Sequence, residues 1–105
     1  MNDAQGPARQ WLAGLQKRYI WYYESLDTDE EVLFVYAFLP DGTPIKVDRI
    51  GVEDPNLIFI LGKIEGDICK LVLHVSQCQV YFRVIRKSKL KEGQEEPRKI
   101  GFLTD

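Results

Sequence analysis

The chain has 105 residues, a formal net charge of −2, one histidine and two cysteines. A chain of this length is expected to form one domain, residues 1–105, whose core suffices without a metal or disulfide. Its hydrophobic content of 45% and charged content of 29% are ordinary globular values. They exclude disordered, collagen-like and coiled-coil proteins.

The sequence shows no pattern typical of secretion or membrane insertion. Residues 1–10 hold no hydrophobic run, and the longest apolar stretch is Val32–Leu39. That stretch is far shorter than the ~20 residues that a membrane-spanning helix needs. The spacing of Cys69 and Cys78 matches neither a zinc site nor a redox CxxC motif. We therefore expect a cytoplasmic protein with two free thiols, no metal, no cofactor and no membrane contact.

The first predicted element is an amphipathic helix over residues 7–26, with Pro7 in its first turn. Its apolar residues share one arc of the helix. They are Ala8, Trp11, Leu12, Leu15, Tyr19, Tyr22, Tyr23 and Leu26. Ile20 and Trp21 lie outside this arc. Either a loop or strand covers them, or they form a protein contact surface.

From Val32 onward the pattern predicts strands separated by turn-forming residues such as Pro40–Thr43 and Asp54–Asn56. The hydrophobic phase changes across Asp48–Arg49, which indicates a β-bulge in the second strand. A charged loop and a short apolar tail, residues 88–105, follow the last strand. The five predicted strands are 32–39, 44–52, 57–64, 68–75 and 78–87.

These elements predict an α+β, mainly β fold, in which the helix precedes a five-stranded, strongly bent antiparallel sheet or small barrel. The first and third strands are apolar on both faces, whereas a sheet with one solvated face should alternate. One copy of so short a chain has little material to cover both faces. We therefore expect a homo-oligomer.

The charge is unevenly distributed, since residues 83–105 carry seven basic and four acidic groups. Arg83, Arg86 and Lys87 begin a run that contains no acid before Glu92. Such a run can contact the phosphates of a nucleic acid. The alternative is a solvated strand end that leads into a loop.

The order of one helix and five bent strands, with an Asp41-Gly42 turn after the first strand, resembles the Sm-like (LSm) small β-barrel family, an SH3-like architecture. The resemblance covers about residues 8–87. Asp54 and Asn56 match the Asp and Asn of the family's loop after the second strand, and His74 matches the His of its bacterial RNA-chaperone branch. The resemblance implies rings of subunits that bind single-stranded RNA, with Asp54, Asn56 and His74 at the RNA site.

The sequence contains few combinations of residues that could form a catalytic site. Nucleophilic catalysis needs a nucleophile, a base and an orienting group within reach of one another, and His74 is the only histidine. Carboxylates such as Asp48 and Asp54 flank turns, and a role in these turns explains them more simply than acid–base catalysis does. We therefore predict a protein that is not an enzyme.

Two functions remain open at this stage. The first is an oligomeric Sm-like small barrel that binds single-stranded RNA through Asp54, Asn56 and His74, aided by Arg83, Arg86 and Lys87. The second is an adaptor module that binds a protein partner through Ile20, Trp21 and a strand edge.

Overall fold

The computed structural model describes residues 6–90, 97 and 99–103, and it has the predicted α+β, mainly β composition. Within these residues one α-helix packs on a six-stranded sheet whose strand pairs are antiparallel, except that the last strand pairs in parallel. Of the predicted C-terminal loop and tail, residues 91–96, 98, 104 and 105 lie outside the described residues. The elements are α1 (Pro7–Glu24), β1 (Glu31–Phe38), β2 (Pro44–Asp54), β3 (Leu57–Ile64), β4 (Asp67–His74), β5 (Val80–Arg86) and β6 (Gly101–Leu103).

The strand order is β4-β3-β2-β1-β5, so the first four strands form a meander and β5 returns to pair with β1. The turn before β2 has a left-handed glycine, Gly42 (φ 88°), and the turn before β4 has Glu65 and Gly66 at positive φ. Two consecutive positive φ values are typical of tight hairpins. Among the described residues β4 and β5 do not pair with each other, so the sheet that they bound is not closed into a barrel.

The predicted bulge in β2 is confirmed. Val47 pairs with Gly62 and Arg49 with Leu61, which leaves Asp48 as the extra residue. Past this bulge β6 replaces β1 as the neighbour of β2 and runs parallel to it. The sequence did not predict β6, since three residues without a flanking turn motif carry little strand signal.

The helix packs its predicted apolar arc against the sheet, with one exception. All the members of the arc except Tyr22 lie in or against the core. Tyr22 is exposed and meets the ring of Phe82 edge-on, with 5.1 Å between ring centroids. The start of the helix is fixed to the β2–β3 turn, because the N–H of Ala8 donates to the carbonyl of Pro55 at 2.9 Å.

The sheet therefore has two different faces. On the covered face, Leu33, Val35 and Ala37 of β1 join the core beneath the helix. On the opposite side, which we call the open face, lie the alternate residues of β1, which include Val32 and Phe34. These two are buried but are not part of that core. β1 is thus apolar on both sides, as its sequence predicts.

Among the residues that the structure describes, none of the helices is both long and apolar enough to cross a bilayer.

Candidate functional site

Three of the predicted RNA-contacting residues meet at one corner of the sheet, which we call the corner cluster (Asp54, Asn56 and His74). Asp54 ends β2, and its carboxylate accepts the backbone N–H groups of Asn56 at 2.8 Å and Leu57 at 3.0 Å. Asn56 holds the end of β4, since its carbonyl accepts the N–H of Val75 at 2.8 Å. Asp54 therefore shapes the turn, and the exposed side chains of Asn56 and His74 are available for binding.

The His74 ring is engaged by its own strand end. The backbone N–H of Ser76 donates to Nδ1 at 3.1 Å, and the hydroxyl oxygen of Ser76 lies 2.8 Å from the same nitrogen. This arrangement caps the short 3₁₀-helix Val75–Gln77 that leads away from β4. Within the described residues no carboxylate orients the imidazole, so Ser76 and His74 lack the third group of a nucleophilic triad.

The basic residues of β5 lie on a different edge strand from the corner cluster. Arg83 stands opposite Phe34 of β1, and Arg86 stands opposite Glu31, an acidic neighbour. The backbone N–H of Lys87 donates to the carbonyl of Glu30 at 2.8 Å. The strand order explains the separation, because β4 carries His74 at one edge of the sheet while β5 forms the other.

The open face carries an aromatic cluster that sequence reasoning missed, which we call the aromatic platform (Phe34, Tyr36, Phe38 and Tyr81). The Tyr81 ring is nearly parallel to those of Tyr36 and Phe38, with centroid separations of 5.1 and 5.3 Å. Phe34 continues the run, 6.1 Å from Tyr36. Three aromatic residues at alternate positions of one predicted strand were the available signal, because alternate residues share a face.

Lysines continue the platform across the sheet. Tyr36 pairs with Lys46, and Lys46 pairs with Lys63 of β3, so all three lie in one row of the open face. The Lys46 ammonium lies 4.9 Å from the centroid of the Phe34 ring, a cation–π contact. Burial raises the pKa of Tyr36 above its ordinary value, although the nearby Arg83 charge opposes this shift. The platform thus combines partly buried rings with positive charge.

A third surface, which we call the helix patch (Ile20, Trp21 and Tyr22), lies near the end of helix α1. All three are exposed, and Trp21 retains 58% of its accessible surface. The Trp21 and Tyr22 rings stack with centroids 5.6 Å apart, and the Arg18 guanidinium lies 5.3 Å from the Trp21 ring centroid. The loops and strands that the structure describes leave both Ile20 and Trp21 exposed.

Cys69 and Cys78 are free and partly buried. Burial raises the pKa of the Cys78 thiol to about 11, so at neutral pH it is a thiol rather than a nucleophilic thiolate. Within residues 6–90 and 99–103, His, Cys, Asp and Glu side chains nowhere gather in threes that could hold a metal ion.

Comparison of the chain with protein-family models, with curated proteins and with solved structures gives no match.

Proposed function

We propose that this chain is a non-catalytic, Sm-like module that assembles with copies of itself through the edges of its sheet and binds single-stranded RNA. The observation that carries the proposal is the pair of open edges. In the described part of the chain, β4 pairs only with β3 and β5 only with β1. Unpaired edges are ready templates for another strand.

The side chains of these edges support pairing between copies. Ile68 and Val72 of β4 are 72% and 53% exposed, and Val84 of β5 is 51% exposed. Exposed apolar groups on an edge strand are a liability unless another chain covers them. Joining β4 of one copy to β5 of the next is a head-to-tail contact, which generates a ring when the rotation closes. The resemblance to the Sm-like family implies the same mode of assembly.

The corner cluster supplies the proposed RNA contacts. The Asn56 amide can donate to and accept from a base edge, and the exposed imidazole of His74 can stack on or hydrogen-bond to an unpaired base. A ring would repeat this corner once per subunit. Repeated weak sites raise the overall affinity without further contacts.

Light scattering after gel filtration tests the assembly. The wild-type chain should elute as an oligomer at micromolar concentration. Val72→Lys should shift it toward monomer, because a charge on the edge opposes pairing, and its position opposite Phe59 creates no like-charge pair within the subunit. Ala13→Lys, on the exposed side of α1, is the matched control and should leave the stoichiometry unchanged. A wild-type monomer would contradict the proposal.

Fluorescence polarisation with labelled oligo-U and oligo-A tests the RNA contacts at low salt. Asn56→Ala should weaken binding, while Gln79→Ala, exposed and outside the corner cluster, should not. Binding should also fall as salt rises, because phosphate contacts release counterions. If neither oligomer binds, the RNA part of the proposal is wrong.

The helix patch favours a second candidate, an adaptor that binds a protein partner. Exposed Trp and Tyr beside an Arg are typical of binding hot spots. The two candidates differ in their response to Trp21→Ala. Under the first proposal this variant keeps the oligomer and its RNA affinity. If Trp21→Ala dissociates the oligomer and Val72→Lys does not, the helix patch is the interface and edge pairing is wrong.

A further inference from the structure

The aromatic platform faces away from the helix, and part of its surface is accessible. Tyr81 is 37% exposed, while Tyr36 and Phe38 are half-buried. Helix α1 packs against the covered face, so among the described residues no helix shields these rings. Aromatic rings that only fill a core are normally enclosed by other side chains, whereas the Tyr81 ring of this platform is exposed to solvent.

The lysine row beside the rings carries an electrostatic cost. Lys46 and Lys63 stand directly opposite each other on neighbouring strands, and like charges in that position destabilise a sheet. In the described part of the chain, neither ammonium has a carboxylate partner. The Asp41 carboxylate, in the turn after β1, accepts the Thr43 N–H at 2.9 Å instead. A bound anion would relieve the repulsion.

From these observations we infer that the open face is a second binding site for single-stranded nucleic acid, with bases stacked on the accessible rings of the aromatic platform and phosphates held by Lys46, Lys63 and Arg83. Aromatic rings next to a positively charged track are how proteins bind single strands without strict sequence preference. A duplex does not fit, because its bases are already stacked on one another. The inference deepens the proposed RNA binding and adds a site away from the corner cluster.

The charge distribution argues for a nucleic acid rather than an apolar protein segment. An apolar partner would have to bury the Lys46 and Lys63 ammonium groups unpaired, which is costly. A polynucleotide supplies both flat rings and phosphates, which matches a row in which two rings, Tyr81 and Tyr36, are followed by Lys46 and Lys63. RNA and DNA share this chemistry, so the experiment uses both.

The test measures polarisation of labelled oligo-U RNA and oligo-dT DNA with the full chain at low salt. Tyr81→Val should weaken binding about tenfold, within the range expected for losing one stacked base. Tyr81→Phe should retain nearly wild-type affinity, because it keeps the ring. Trp21→Ala, an aromatic deletion in the helix patch, is the control and should not change affinity.

The lysines have a separate signature in the salt dependence. Lys63→Gln should reduce the slope of log affinity against log salt by about 0.7, the value for one phosphate contact on a single strand. Lys17→Gln, on the exposed side of α1, should leave the slope unchanged. Thermal melting and light scattering on each variant establish that fold and stoichiometry are retained. An unaltered slope for Lys63→Gln would overturn the role of this lysine.

The two proposed sites fail in distinguishable ways. If Tyr81→Val binds as the wild type does while Asn56→Ala loses affinity, the platform site is wrong and the corner cluster stands. If Tyr81→Val weakens binding and Asn56→Ala does not, the platform alone carries the nucleic acid. A wild-type chain that binds neither probe overturns both.

Discussion

The two faces of the sheet use the same strands but hold their apolar groups in different ways. On the covered face, residues of α1 such as Leu12 and Tyr19 enclose the core almost completely. On the open face, Phe34 is buried beside a neighbouring ring and a lysine. The covered face should therefore control stability, and the open face should control binding.

The largest effect is expected for Leu12→Ala on the covered face. Leu12 is fully buried, so truncation leaves a cavity and should lower the free energy of unfolding by about 2–5 kcal/mol. Urea denaturation measures the loss. Ile20→Ala on the exposed side of the same helix is the control and should cost less than about 1 kcal/mol. Equal losses would remove the distinction between enclosed and exposed apolar groups.

Gly62→Ala should have the next largest effect. A methyl group at Gly62 would overlap the carbonyl oxygen of Lys46 and press on the Ile45 side chain, so β2 and β3 would have to separate locally. Overpacking of this kind costs roughly 1–3 kcal/mol, measured by the urea midpoint. Gly14→Ala, in a helical position with open space, should instead stabilise the chain. If Gly62→Ala is neutral, the close approach of these strands is wrong.

Tyr19→Phe should cost about 1 kcal/mol, because the Tyr19 hydroxyl accepts the N–H of Ile100 at 3.1 Å. This hydrogen bond connects the helix to the residue before β6. Amide exchange should therefore accelerate at Ile100 and through β6 more than elsewhere. Tyr23→Phe is the matched control, because the described residues give this neighbouring ring no such hydrogen bond. Uniform acceleration across the sheet would contradict a local role.

The smallest expected effect distinguishes the two faces most clearly, because it is a gain of stability, whereas truncation of the covered face causes a loss. Lys63→Gln on the open face should raise the free energy of unfolding by about 0.2–1 kcal/mol, since it removes the like-charge pair with Lys46. The gain should shrink at high salt, which screens exposed charges. Chemical denaturation at two ionic strengths measures it. A loss of stability would show that Lys63 has a structural role.

Local patterns predicted most of the elements of the fold. The β3 limits match the structure, the Asp41-Gly42 turn joins β1 to β2, and the phase change at Asp48 produces the bulge. The pairing of strands that are distant in the sequence was harder to predict. Nothing in residues 78–87 specifies that β5 pairs with β1 rather than with β4, because apolar alternation fixes the face of a strand but not its neighbour.

The candidate sites were predicted unevenly for the same reason. Asn56 directly precedes β3 and His74 ends β4, and the two meet because a hairpin joins β3 to β4, which is a local relation. In the aromatic platform Tyr81 of β5 lies beside Tyr36 of β1, two strands that are distant in the sequence. The aromatic residues of each strand could be read from the sequence, but the pairing of the two strands could not. The cation–π contact of Lys46 likewise depends on side-chain packing, which a strand pattern does not encode.

The strand order has a consequence for how the chain folds. Strands β1 to β4 can form by successive local hairpins, but β5 and β6 must return from the other end of the chain to reach β1 and β2. Non-local pairings form late, because the loop-closure entropy must be overcome first. Until β5 arrives, β1 is itself an edge with apolar residues on both faces. The period of greatest aggregation risk should therefore be the interval before β5 docks, while β1 is unprotected.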